Sequence, residues 1–92
     1  MRISYDGGKL GVVIRNRDTL PAYTLRGYTL RALFEGPGAT MLERLETPIP
    51  NLAPGKTATL HLAPASAKTP LAICADVLRP NGWSAWTEIW RP

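Results

Sequence analysis

The stretch that most constrains the fold is Leu71 to Trp90, LAICADVLRPNGWSAWTEIW, which reads as two strands joined by a tight turn. Arg79-Pro80-Asn81-Gly82 contains Asn-Gly, the best short hairpin signal, because the favoured hairpin turns need residues that accept positive φ. Before the turn, Leu71, Ile73, Ala75 and Val77 share one face, and Ala72, Cys74, Asp76 and Leu78 share the other. Such near-continuous apolar character suggests a central strand covered on most of both sides. After the turn, Ala85, Thr87 and Ile89 alternate with Trp86, Glu88 and Trp90. The hairpin holds all three tryptophans.

The remaining segments are shorter and strand-like. Arg2 to Tyr5 is a candidate first strand, and Asp6-Gly7-Gly8 a hairpin turn. In Lys9 to Asn16 the alternation puts Leu10, Val12 and Ile14 toward a core. Asn16 to Ala22 is a loop, broken by Asn, Asp and Pro. Thr24 to Glu35 alternates again, with Tyr28, Leu30, Ala32 and Phe34 on one face. Ala39 to Thr47 has helix-forming residues in MLERLE, but Pro48 and Pro50 stop it early and its neighbours are strands, so a charged edge strand is expected. Ala53-Pro54-Gly55-Lys56 has the type II turn pattern, and Thr57 to Leu62 then turns Ala58, Leu60 and Leu62 inward. Ala63 to Pro70 is a loop of small residues. Six or seven short strands with regular turn signals predict one all-β domain, a single antiparallel immunoglobulin-like β-sandwich spanning residues 1–92. A barrel of the oligonucleotide-binding type would have fewer, longer strands and a helix, and is the weaker alternative.

Composition limits what this domain does. At 92 residues with 45% hydrophobic and 20% charged residues, the chain is globular and long enough for one core. The net charge of +4 is spread along the sequence, with only Arg15 and Arg17 close together, so no basic element marks a nucleic-acid surface. The lone Cys74 excludes an internal disulfide, and with the lone His61 it makes no Cys/His metal site. No cofactor is implied. No leader-type segment or bilayer-length apolar run occurs, which leaves the compartment open.

Catalytic chemistry finds little support. Glycosidic cleavage needs two carboxylates about 5 to 10 Å apart across one cleft. Most acids here fall in turns or alternate with inward apolar residues and read as solvated. Asp76 is the exception: it interrupts an apolar run, so burial demands a partner, with Arg15, Arg31 and Arg79 the candidates. Cys74 lacks a nearby base and reads as a small buried strand residue. The tryptophans carry the sharper hypothesis. Trp86 and Trp90 lie roughly 13 Å apart along one strand face, a spacing at which aromatic rings can stack on successive sugars. Packing in the core or against an adjacent domain is the preferred, blander reading.

Three motifs carry a family resemblance. They are VVIRNRDTLPAYTLRGYTLRALFEG, NLAPGKTATLHL and VLRPNGWSAW. The first has a strand ending in Asn-Arg, then a loop and an aromatic-bearing strand that leads to a Gly turn. The second enters a strand through Leu-x-Pro-Gly, and the third is an Arg-Pro-x-Gly-aromatic-Ser turn. Together they resemble the immunoglobulin-like or fibronectin type III-like accessory sandwiches of family-2 glycoside hydrolases, the β-galactosidase relatives. The chain departs from antibody domains, since no cysteine faces Cys74 and no tryptophan lies on the Tyr28–Glu35 strand. The resemblance implies a non-catalytic module, cut from a longer chain, that positions a catalytic domain carrying the carboxylates. Trp83, Trp86, Trp90, Tyr23 and Arg17 are the expected contact residues, toward a neighbouring domain or carbohydrate. Neither nucleic acid nor membrane is an expected partner. A carbohydrate-binding module and a fibronectin-like protein-interaction module are the alternatives.

Overall fold

The core is built from the alternating residues of strands that each expose one face. In the structure, a computed structural model describing residues 1–20, 23–65 and 68–92, the chain forms β1 (Arg2–Asp6), β2 (Lys9–Arg15), β3 (Thr29–Glu35), β4 (Met41–Pro48), β5 (Thr57–Leu62), β6 (Ala72–Leu78) and β7 (Ser84–Trp90). A short 3-10 turn at Pro37–Ala39 links β3 to β4. Pro21 and Ala22 of the predicted Asn16–Ala22 loop, and Ser66 and Ala67 of the predicted Ala63–Pro70 loop, lie outside the described residues.

All pairings are antiparallel and form two sheets, ordered β1-β2-β5 and β4-β3-β6-β7. The sheets face each other as the predicted immunoglobulin-like sandwich. One contributes Leu10, Val12, Ile14 and Ala58, and the other Leu30, Ala32, Phe34, Ile73, Ala75 and Val77, all buried. Each large buried side chain contributes roughly 1.5–3 kcal/mol of burial free energy. The edges of β1 and β7 close one flank, where the Tyr5 ring meets Trp90 at 5.1 Å and Phe34 edge-on at 6.4 Å.

β4 is an edge strand, as expected, and its Arg44–Glu46 pair is exposed. The Pro54-Gly55 turn also forms: Lys56 N–H donates to the Ala53 carbonyl, and Gly55 takes φ 78°. Two expectations need correction. The Thr24–Glu35 stretch is not one strand, because Gly27 takes φ 70° and breaks it. Upstream of that break, Leu25 makes only an isolated bridge to Leu52, and both are buried in the core. Leu71 does not share the inward face of β6 either. It precedes the strand, half exposed, with its N–H donating to the Glu35 carbonyl where the β3 ladder ends.

Candidate functional site

Consecutive strands run in opposite directions, so the β2–β3, β4–β5 and β6–β7 connections share one end of the sandwich with the start of β1. Asn16 ties that end together. Only 2% exposed, it follows the last residue of β2. Its Nδ2 donates to the carbonyls of Tyr23 and Leu52, each at 2.9 Å, and its Oδ1 accepts from Asp18 N–H at 3.0 Å. Its backbone N–H donates to Lys56, and its carbonyl accepts from Gly55. Every polar group of this buried asparagine is therefore used, as burial requires. The sequence reading treated Asn16 only as a strand breaker. Its role depends on residues up to 40 positions away, which local patterning does not register.

An open cleft of about 390 Å³ lies at this end, on the flank where β1 and β7 meet. Trp86, Arg15, Arg17 and Asp18 line it together with Met1, Ile14 and Asn16. A second depression of about 270 Å³ shares Arg15 and Arg17 with it and adds Arg2 and Thr57. Among the described residues, no carboxylate lies within ion-pair distance of Arg2, Arg15 or Arg17. Asp18 is held through its backbone N–H by the Asn16 side chain, and it lines the cleft.

The expected contact residues separate into groups. Trp86 and Arg17 meet in this cleft. Trp83, at the β6–β7 turn, is 72% exposed, and Tyr23, in the β2–β3 loop, is 55% exposed. Trp90 does share a face with Trp86, since the two pair with Ile73 and Val77 on the inward side of β6. Yet Trp90 is half-buried and tilted 56° against Tyr5, so the two indoles do not form an open platform for successive sugar rings.

Asp76 is buried and does find a partner, on the outer face of the larger sheet. Arg31 Nη2 donates to it at 3.0 Å, Thr87 Oγ1 at 2.6 Å and Ser84 Oγ at 3.3 Å. Ser84 and Thr87 both reach it because the β6–β7 register shifts between Val77 and Leu78. Burial pushes the carboxyl pKa up, but the Thr87 hydrogen bond, the Arg31 guanidinium and the Ser84 hydroxyl together hold it below its ordinary value. This is a structural cluster in which the Asp76 carboxylate is satisfied, while Arg31 Nε is buried without a hydrogen-bond partner. Burial, and next the Asp76 charge, pushes the Cys74 thiol up, which keeps it a poor nucleophile. His61 is exposed on β5, as its alternation predicts. Among the described residues, no three His, Cys, Asp or Glu side chains gather in a metal-binding group.

No family model, curated protein or solved structure gives a significant match to this chain. The functional reading therefore rests on the geometry of this end of the sandwich and on the motifs in the sequence.

Proposed function

We propose that this sandwich is a non-catalytic accessory module of a glycoside hydrolase of the β-galactosidase kind, holding a catalytic domain in position. The observation that carries the reading is a set of large apolar side chains left uncovered at one end of a complete core. Trp83 is 72% exposed, and Leu20 and Tyr23, joined by a backbone hydrogen bond, are 56% and 55% exposed. None of them is needed to close the sandwich, whose core is already filled from both sheets. Exposed large apolar groups gathered on loops suit a surface made for a partner.

The loops themselves are firmly held. Asn16 pins the β2–β3 and β4–β5 connections, and the β6–β7 turn closes through Gly82 N–H to Arg79 and Arg79 N–H to Trp83. A rigid end is what a spacer needs, since a loose one would transmit no position. The three motifs of the resemblance support a glycosidase parent.

Hydrogen–deuterium exchange on residues 1–92 alone and joined to the rest of their chain tests the proposal. Slower exchange over 79–83 and 23–28 in the joined form is expected. Equal rates in both forms, or a parent chain without glycosidase activity, would overturn it.

A further inference from the structure

Arg2 is far in sequence from Arg15 and Arg17, yet the fold brings the three to two adjoining depressions, the larger of which Trp86 also lines. We infer that this cleft is a binding site for an anionic saccharide, one carrying a carboxylate or sulfate. The site goes beyond the scaffolding role and needs no neighbouring domain. It lies on the β1–β7 flank, whereas the scaffold contact uses the loop tips at Trp83, Leu20 and Tyr23.

Charge comes first. Arg15 and Arg17 line the cleft with one acidic residue, Asp18, Arg2 lines the adjoining depression, and none of the three arginines is neutralised by an ion pair among the described residues. Arginine forks bind carboxylate and sulfate oxygens in pairs, with stronger bonds than neutral donors make. The aromatic wall comes second. Trp86 is 41% exposed and lines the cleft, and an indole face suits the apolar face of a pyranose ring. Asp18 then serves as an acceptor for sugar hydroxyls, which a site meant for bare anions would not require. Asn16 is a wall and not a ligand, because its donors and acceptor are already engaged.

Shape decides between a small ligand and a flat protein contact. A concave volume of about 390 Å³ lies within the roughly 300–1,000 Å³ typical of small-molecule sites. A single aromatic wall suits one sugar residue better than a stacked strand of bases, for which successive aromatic platforms are the usual arrangement. Trp90, which shares a face with Trp86, is occupied by Tyr5, and Trp83 and Tyr23 do not line the cleft.

The test is a tryptophan-fluorescence titration of the 92-residue protein carrying Trp83→Phe, which removes the exposed background emitter. The probes are a short oligogalacturonate, a sulfated oligosaccharide, a neutral β-glucan oligosaccharide and a single-stranded oligonucleotide of matched charge. Saturable binding to the carboxylated or the sulfated probe is expected, the stronger of the two identifying the acid group, with neither the neutral sugar nor the oligonucleotide competing. Arg15→Gln with Arg17→Gln is expected to weaken binding by about 10-fold or more, since it removes two guanidiniums and the loss of a single charge-assisted contact already costs that much. Trp86→Leu, which keeps apolar bulk but removes the π face, is expected to weaken it similarly when followed by calorimetry. Failure of both anionic probes to bind, oligonucleotide binding of equal strength, or unchanged affinity in Trp86→Leu would each overturn the inference.

Discussion

Replacing Asn16 tests whether one buried side chain holds the cleft-bearing end of the sandwich together. Asn16→Ala removes the two bonds to the Tyr23 and Leu52 carbonyls and the bond accepted from Asp18 N–H. The Leu52 carbonyl keeps a second donor, Leu25 N–H, while the Tyr23 carbonyl and Asp18 N–H lose the side-chain partner. Three bonds of about 0.5–1.5 kcal/mol each, with some penalty for groups left unpaired, place the cost at about 2–4 kcal/mol. That is a large fraction of the roughly 5–15 kcal/mol expected for a whole domain. Asn16→Asp is the sharper variant. It conserves shape but turns an oxygen toward two carbonyls and buries a charge, so at pH 7 it is expected to cost more than Asn16→Ala. Its carboxyl pKa would be raised in the folded state, so its excess cost shrinks as pH falls and the group regains a proton to donate. Urea unfolding of the three proteins at pH 7 and at pH 4 reads both effects. A cost below about 1 kcal/mol for Asn16→Ala, or an Asp variant as stable as wild type at pH 7, would refute the reasoning.

Other substitutions probe separate parts of the fold. Asp76→Asn removes the charge that Arg31 and Thr87 satisfy and is expected to cost about 1–3 kcal/mol at pH 7 by urea unfolding. Because the folded-state pKa of Asp76 is depressed, its contribution is present above the ordinary carboxylate range and fades as pH falls below about 4, so the gap to Asp76→Asn narrows there. Trp90→Ala strips the Tyr5 contact from the β1–β7 seam and is expected to lower stability by about 2–3 kcal/mol, whereas the exposed Trp83→Ala stays within about 0.5 kcal/mol of wild type. Gly36→Ala would bring a Cβ to 2.9 Å from Leu42 Cδ2, an overpacking expected to cost about 1 kcal/mol. In a Leu42→Ala background that cost should largely disappear, and a double-mutant cycle measures the coupling.

Much of the fold was legible because sandwich strands alternate. Leu10, Val12 and Ile14, or Leu30, Ala32 and Phe34, are buried where period-two patterning places them, and Pro48 limits β4 as proline should. The failures lie where backbone conformation overrides pattern. Gly27 sits inside an apparently continuous alternation, and only its positive φ, packed beside Pro80, shows that the strand starts two residues later. Leu71 carries the parity of an inward residue, but it lies just beyond the last residue of β6 to pair with β3. The Asp76 cluster was half legible. An acid in an apolar run announces a partner, but choosing Arg31 over Arg15 or Arg79 needs the register that sets Arg31 directly opposite Asp76.

The cleft was hidden for a reason that also suggests how to find others like it. Reading charge along the sequence asks whether basic residues are close in number, and here only Arg15 and Arg17 are. In a sandwich whose consecutive strands alternate in direction, the relevant variable is the parity of the connection. Connections after even-numbered strands, together with the start of the first, share one end, and connections after odd-numbered strands share the other. Sorted in this way, Arg2, Arg15, Arg17, Arg26, Lys56 and Arg79 all fall at the end that holds Trp83 and Trp86, while Asp18 alone of the acids lies in those connections. Counted the same way, the other end holds Lys9, Lys68 and Arg91, with Asp6 and Glu35 at its strand ends. Self-repulsion among so many cations costs stability unless something offsets it. Within the described structure the two ion pairs, Arg31–Asp76 and Arg44–Glu46, lie within strands of the larger sheet and involve none of these six cations. The uncompensated charge is therefore concentrated at the end with the open indoles, an arrangement that favours an acidic ligand at the cleft.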